Sequence, residues 1–201
     1  YPNRYSNTEE LVEICKVVAE YDGISVWHVR TRDLGLIEAI KEVIRVAEKT
    51  NVKVHFSHYA ANEPVNRGKS KEMLTIVDEA RERGLDVTFD SYPYTASSTI
   101  VLAFLPRWAH EGGPDAILER LRQPKTMGKI CTDIRVTAPP WDRLVLSCVS
   151  TEKNKIYVGK NLLEAANMAG KDVAEFVCDL LLEERLGVGY VAFVGNEEDL
   201  R

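Results

Sequence analysis

The sequence predicts an α/β fold built on parallel strands. Short apolar runs suited to strands fall at 24–29, 52–58 and 85–90. Amphipathic helical segments separate them, and each strand follows the last by about one βα unit. Strands joined in this way pair in parallel through crossover helices. A doubly wound sheet and a (β/α) barrel satisfy the pattern equally, and periodicity does not choose between them.

The elements follow in order. Residues 8–21 place Leu11, Ile14, Cys15 and Val18 on one helical face, with Asn7 and Glu10 as a capping signal and Gly23 as the stop. Ile24 to Val29 reads as a strand. Residues 35–49 repeat Ile37, Ile40, Val43, Ile44 and Ala47 at helical spacing. Val52 to His58 is the next strand, 70–83 the third helix, and Leu85 to Asp90 the third strand.

The alternation then breaks. A loop at Ser91–Thr95 leads to an apolar segment, and a helix starting at Gly112-Gly113-Pro114-Asp115 stops at Pro124. A short helix is expected over 126–133 and a strand over Arg143–Val149. Helices resume at 161–169 and 172–186, and Val188 to Val194 reads as a strand. The expected organisation is βα units over 1–92, an inserted lid-like subdomain over 93–155, and a return to βα units over 156–201.

Composition narrows the function classes. The 201 residues are 45% hydrophobic and 28% charged, with a formal net charge of -5. An acidic chain does not suit nucleic acid or an anionic membrane as principal partner, because both select basic surfaces. No apolar run approaches the roughly 18 residues of a membrane span. Cys15, Cys131, Cys148 and Cys178 lack zinc-finger or CxxC spacing. Each lies in an apolar stretch, so the expectation is four buried free thiols in a reducing cytoplasm. The chain opens without Met and closes on what reads as the first turn of a helix, so an internal piece of a longer protein is expected.

Two of the four histidines carry the chemistry. His28 and His58 close consecutive predicted strands. In parallel βα architectures the strand C-termini line one face, and that face holds the site. Two imidazoles from neighbouring strands can share one metal at about 2.0–2.1 Å each; hydrogen-bonded core histidines are the structural alternative. His55 is an odd number of positions from His58 and is therefore expected to face the helix layer. His110 is expected to be a solvated loop residue. Asp90 suits either a ligand or base role, or a cap for the turn before Tyr92. Arg30 suits a substrate carboxylate or a salt bridge to a neighbour. Lys69-Ser70 starts a helix, since Asn66 to Ser70 lacks phosphate-loop spacing.

Four stretches, in order and with fitting separations, resemble one family: "YPNRYSNTEELVEICKVVAEYDGISVWHVR", "VKVHFSHYAANEPVNRGKSKEML", "ARERGLDVTFDSYPYTASST" and "LPRWAHEGGPDAILERL". The chain resembles the N-acyl-D-amino-acid deacylases, or D-aminoacylases, of the amidohydrolase superfamily. The likeness is densest over residues 1–123.

The resemblance implies a partial TIM-like (β/α) barrel with an insertion near the substrate entrance. It implies zinc at the barrel mouth and hydrolysis of the amide bond of a small N-acyl-D-amino acid. The histidine of "SVWHVR" matches a family metal ligand, which carries over to His28. That of "FSHYA" matches the next, carried to His58. The first tyrosine of "DSYPY" matches a substrate contact, carried to Tyr92. The family's opening His-x-His strand would lie upstream and its catalytic aspartate downstream, so no catalytic residue is expected in this chain and the piece alone is expected to be inactive. Two positions depart from the family pattern. Thr31-Arg32-Asp33 stands where an acidic pair is usual, and Ala60 stands where a lysine suited to a substrate carboxylate is usual. A cyclic-amide hydrolase of the dihydroorotase or hydantoinase kind, and a non-catalytic domain that self-associates as a homodimer, remain as alternatives.

Overall fold

The computed structural model describes residues 5–61, 64–137 and 140–201. Tyr1–Arg4 of the first quoted stretch, and Asn62 and Glu63 of the second, lie outside the described residues. The chain divides into two compact units, Tyr1–Thr95 with Val194–Arg201, and Ala96–Phe193.

The first unit is a three-stranded parallel sheet with helices on one face. Its elements are α1 (Thr8–Glu20), β1 (Ile24–Trp27), α2 (Leu36–Thr50), β2 (Lys53–Phe56), α3 (Ser70–Glu82) and β3 (Val87–Phe89). The strands lie in the order β1-β2-β3, with Val26 opposite His55 and His55 opposite Thr88. Asn7 caps α1 by accepting the Glu10 N–H at 2.8 Å, as the sequence predicts. Asp199 caps α3 from far along the chain, accepting the Gly68 and Ser70 N–H groups; the helix's own flanking residue, Lys69, makes no side-chain cap.

Val54, Phe56 and Val87 point into the core shared with Ile40, Val43, Val77 and Ala80. Phe56, Ile40, Val77 and Ala80 are fully buried, which removes their apolar area from water and drives this packing. On α1 the buried residues are Val12 and Cys15, while Ile14 is exposed, contrary to the predicted face. The opposite face of the sheet carries Ile24, Val26, Lys53, His55 and Thr88. Ile24 and Val26 are 55% and 61% exposed there, although parallel sheets are ordinarily covered on both faces.

The second unit packs helices against an antiparallel sheet. It contains β4 (Ser97–Ile100), α4 (Gly113–Arg122), α5 (Pro124–Thr137), β5 (Leu144–Cys148), α6 (Leu162–Met168), α7 (Val173–Glu183) and β6 (Gly189–Ala192), with strand order β4-β6-β5. Pro124 opens α5 rather than only ending α4, so that helix is longer than the predicted 126–133. Two expectations fail here. His110 is buried, with Nε2 3.3 Å from the Leu105 carbonyl. Cys148 is exposed at the end of β5, although the other three cysteines are buried; β5 bulges between Leu146 and Cys148, which turns the strand end outward.

Glu184 is buried and anchors the loop after β5. It accepts hydrogen bonds from the Ser150 and Thr151 N–H groups, the Thr151 hydroxyl and Asn154 Nδ2. Among the described residues no helix is long and apolar enough to cross a membrane.

Candidate metal centre

β1 ends at Trp27 and β2 at Phe56, so His28 and His58 each lie just past the C-terminus of one of two paired parallel strands. Their rings meet. His28 Nδ1 stands 2.8 Å from His58 Nε2, with ring centroids 4.6 Å apart and planes at 73°. Two nitrogens bound to one tetrahedral zinc at 2.0–2.1 Å stand about 3.3 Å apart. A separation change of about half an ångström therefore suffices for both to serve one ion. Among the described residues no cluster of three or more His, Cys, Asp or Glu side chains is arranged to hold a metal. The pair thus fits two positions of a coordination sphere.

The backbone at His58 is strained into place. Its φ is 42°, in the left-handed region that a non-glycine residue adopts only where its surroundings enforce it. Those surroundings are visible. The Ser57 N–H donates to the Trp27 carbonyl, the His58 N–H to Asp90 Oδ1 at 2.6 Å, and the Tyr59 N–H to the Asp90 carbonyl. Asp90 thus holds the His58 N–H on Oδ1 and the His55 ring on Oδ2. It is the brace of the loop that carries His58.

The same turn overturns the expectation for His55. Strand alternation stops at Phe56, so the spacing from His55 to His58 does not set their relative direction. His55 alternates with the buried Val54 and Phe56 and lies on the face away from the helices. Its Nδ1 is 2.8 Å from Thr88 Oγ1 and its Nε2 2.9 Å from Asp90 Oδ2. His55 first, and then the His58 N–H, hold the Asp90 carboxyl below its ordinary range.

Both candidate ligands favour the neutral ring. Partial burial, then the neighbouring His58 and Arg32, lower the pKa of His28. Partial burial, then Arg32, lowers that of His58. A metal takes the neutral form of imidazole.

Arg30 pairs with a carboxylate on α2. Its guanidinium forks onto Glu42, with Nε and Nη2 each 2.9 Å from a carboxylate oxygen. Glu42, on α2, also accepts the Thr8 hydroxyl. Arg32, which sequence reasoning did not single out, does reach the pair. Its Nη1 is 3.2 Å from His58 Nδ1 and its Nη2 donates to the Ala60 carbonyl at 3.1 Å. The fully buried Asn66 fixes the backbone beneath it by donating to the Arg32 and Asp33 carbonyls. Only long-range contacts identify Arg32, and no local pattern carries that signal. Tyr92 lines a separate cleft of 260 Å³ with Tyr59, Ala60, Phe89 and Asp199, and neither His28 nor His58 lines it.

The fold is shared with solved structures. The N-acyl-D-glutamate deacylase of Bordetella bronchiseptica, complexed with zinc and a phosphonate inhibitor that mimics the tetrahedral intermediate, superposes with a TM-score of 0.69 at 24% identity, over 97% of this chain and 33% of that one. A D-aminoacylase whose crystal structure defines a subset of amidohydrolases gives a TM-score of 0.66 at 24% identity, over 98% and 34%.

In sequence, the chain is homologous to the D-aminoacylase of Alcaligenes xylosoxydans xylosoxydans, at 33% identity over 100 residues, and to the N-acyl-D-glutamate deacylase of the same organism, at 34% over 101. Each match spans half of this chain and about a fifth of the relative. No protein-family model matches.

Proposed function

We propose that this chain supplies part of the metal centre of a hydrolase that cleaves the amide bond of N-acyl-D-amino acids, with His28 and His58 as zinc ligands. The observation that carries this reading is the 2.8 Å approach of His28 Nδ1 to His58 Nε2 at the ends of adjacent parallel strands. The homology to D-aminoacylase and N-acyl-D-glutamate deacylase supports the substrate class. Zinc, when bound, supplies a Lewis acid that polarises an amide carbonyl and lowers the pKa of a water.

The residues of the chain have distinct tasks in this account. His28 and His58 hold the ion with neutral rings. Asp90 fixes the His58 backbone, and Tyr92 contacts substrate. Arg30, read from its place beside His28 as suited to a substrate carboxylate or a salt bridge, serves through Glu42 to fix the loop after His28. Two imidazoles fill only part of a zinc sphere, so further ligands and the catalytic aspartate come from outside the described residues. The first unit then forms βα units of a TIM-like barrel, and residues 93–155 form an inserted subdomain. The exposed Ile24 and Val26 sit on the face that a closed barrel covers. In the isolated chain the same face favours self-association.

Zinc titration of the chain and of His28→Ala and His58→Ala tests the assignment. Loss of zinc uptake in both variants is expected, and unchanged uptake in either removes that histidine from the site.

A further inference from the structure

Arg32 stands in an unusual place for a cation. A guanidinium only donates hydrogen bonds, so at the 3.2 Å contact His58 Nδ1 must accept. The single proton of the neutral ring is then on Nε2, where it donates to His28 Nδ1. Arg32, His58 and His28 thus form one directed chain of hydrogen bonds. That chain uses both nitrogens that face each other across the candidate metal position.

Metal binding requires the opposite arrangement at His58. When Nε2 offers its lone pair to an ion, the ring proton lies on Nδ1 and faces the Arg32 Nη1–H. Metal-bound histidines ordinarily direct that proton to an acceptor, and Arg32 has none to offer. Its positive charge also opposes a dication a few ångströms away. The guanidinium must therefore leave His58 when a metal arrives. Among the described residues Arg32 makes no ion pair with a carboxylate, and its other contact is the Ala60 carbonyl. A displaced guanidinium beside a metal is a receptor for an anion, with the planar fork that suits a carboxylate.

We propose that Arg32 and a metal ion compete for His58, and that the displaced Arg32 binds the carboxylate of a ligand held at the metal. This rests on the reading of His28 and His58 as ligands. It adds a specificity-determining residue and requires an anionic group on the substrate.

Two measurements test it. The first is the ring tautomer of His58 in the metal-free chain, read from imidazole nitrogen shifts. The Nε2–H form is expected in the wild type, with a mixture in Arg32→Gln; a predominant Nδ1–H form in the wild type overturns the contact. The second is zinc titration with and without N-acetyl-D-methionine as the carboxylate probe. Arg32→Gln should bind zinc about tenfold more tightly, the scale for removing one charge near a divalent ion at a partly exposed site. The probe should tighten zinc binding in the wild type and in Arg32→Lys, and leave Arg32→Gln unchanged. Zinc affinity in Arg32→Gln equal to or below that of the wild type overturns the competition while leaving the histidine pair intact. A wild type that takes up no zinc overturns the histidine pair as a metal site in this chain, and the competition with it.

Discussion

Asp90 grips His58 by its backbone: the carboxylate oxygen Oδ1 accepts the His58 N–H at 2.6 Å, while His58 sits at a φ of 42°. The strain at His58 and the brace at Asp90 are parts of one device. Without the brace, the loop relaxes toward the backbone conformations a histidine ordinarily adopts, and the ring turns from His28. Asp90→Ala should therefore weaken zinc binding by about 10–100-fold, the range for losing a partner that orients a ligand. Calorimetric titration reads this directly. Affinity within twofold of the wild type would show that the loop holds its shape unaided.

The histidine pair sets a pH dependence. Both rings have pKa values lowered from the ordinary value of about 6.5. The unfolded chain therefore binds protons at these rings before the folded one does. Their contribution to stability is complete above the unfolded pKa and is lost as pH falls from there through the folded values. Nitrogen shifts of His28 and His58 in the metal-free protein should show both midpoints below 6.5. A midpoint above it for either ring contradicts the neutral pair.

Glu42 makes a separate prediction in acid. The hydrogen bond from Arg30, and then that from Thr8, hold its carboxyl below the usual range against the opposing effect of burial. The stabilisation is present above the unfolded pKa of about 4.3 and disappears as pH falls through the folded value. Glu42→Gln should cost about 1–3 kcal/mol at pH 7, the scale for leaving a charged partner unsatisfied. Thermal unfolding at pH 7 and pH 3 should show the difference between wild type and variant shrinking in acid; a constant difference contradicts the assignment.

In the second unit, Glu184→Ala leaves the Ser150 and Thr151 N–H groups and the Asn154 amide without their acceptor. A loss of about 3 kcal/mol is expected from denaturant unfolding. A change below about 0.5 kcal/mol, the scale of an ordinary surface substitution, would show that solvent replaces the carboxylate.

The open sheet face gives a prediction about assembly. Ile24 and Val26 are more than half exposed on a parallel sheet. Light scattering should give a mass above the 22.7 kDa of one chain, and Val26→Lys should lower it. A wild-type monomer contradicts this.

The sequence showed the parallel unit clearly, because Ile40, Val43 and Phe56 repeat at the period of the element that buries them. It also picked out His28 and His58, since strand ends in such folds converge. What it missed is non-local. β4 is Ser-Ser-Thr-Ile, mostly exposed, and becomes a strand only by pairing with β6 about ninety residues on. The positive φ at His58 has no signal in a residue other than glycine or asparagine, and it defeated the parity argument for His55. Arg32 and Asp90 reach the site through contacts that span 26 and 32 positions, which no local period encodes.

The most direct test of the metal centre is zinc absorption spectroscopy on the zinc-loaded chain and on the His28→Ala/His58→Ala double variant. Two imidazole nitrogens at about 2.0–2.1 Å are expected in the wild type, with no bound zinc in the variant. Equal zinc with unchanged imidazole scattering in both proteins would contradict the account.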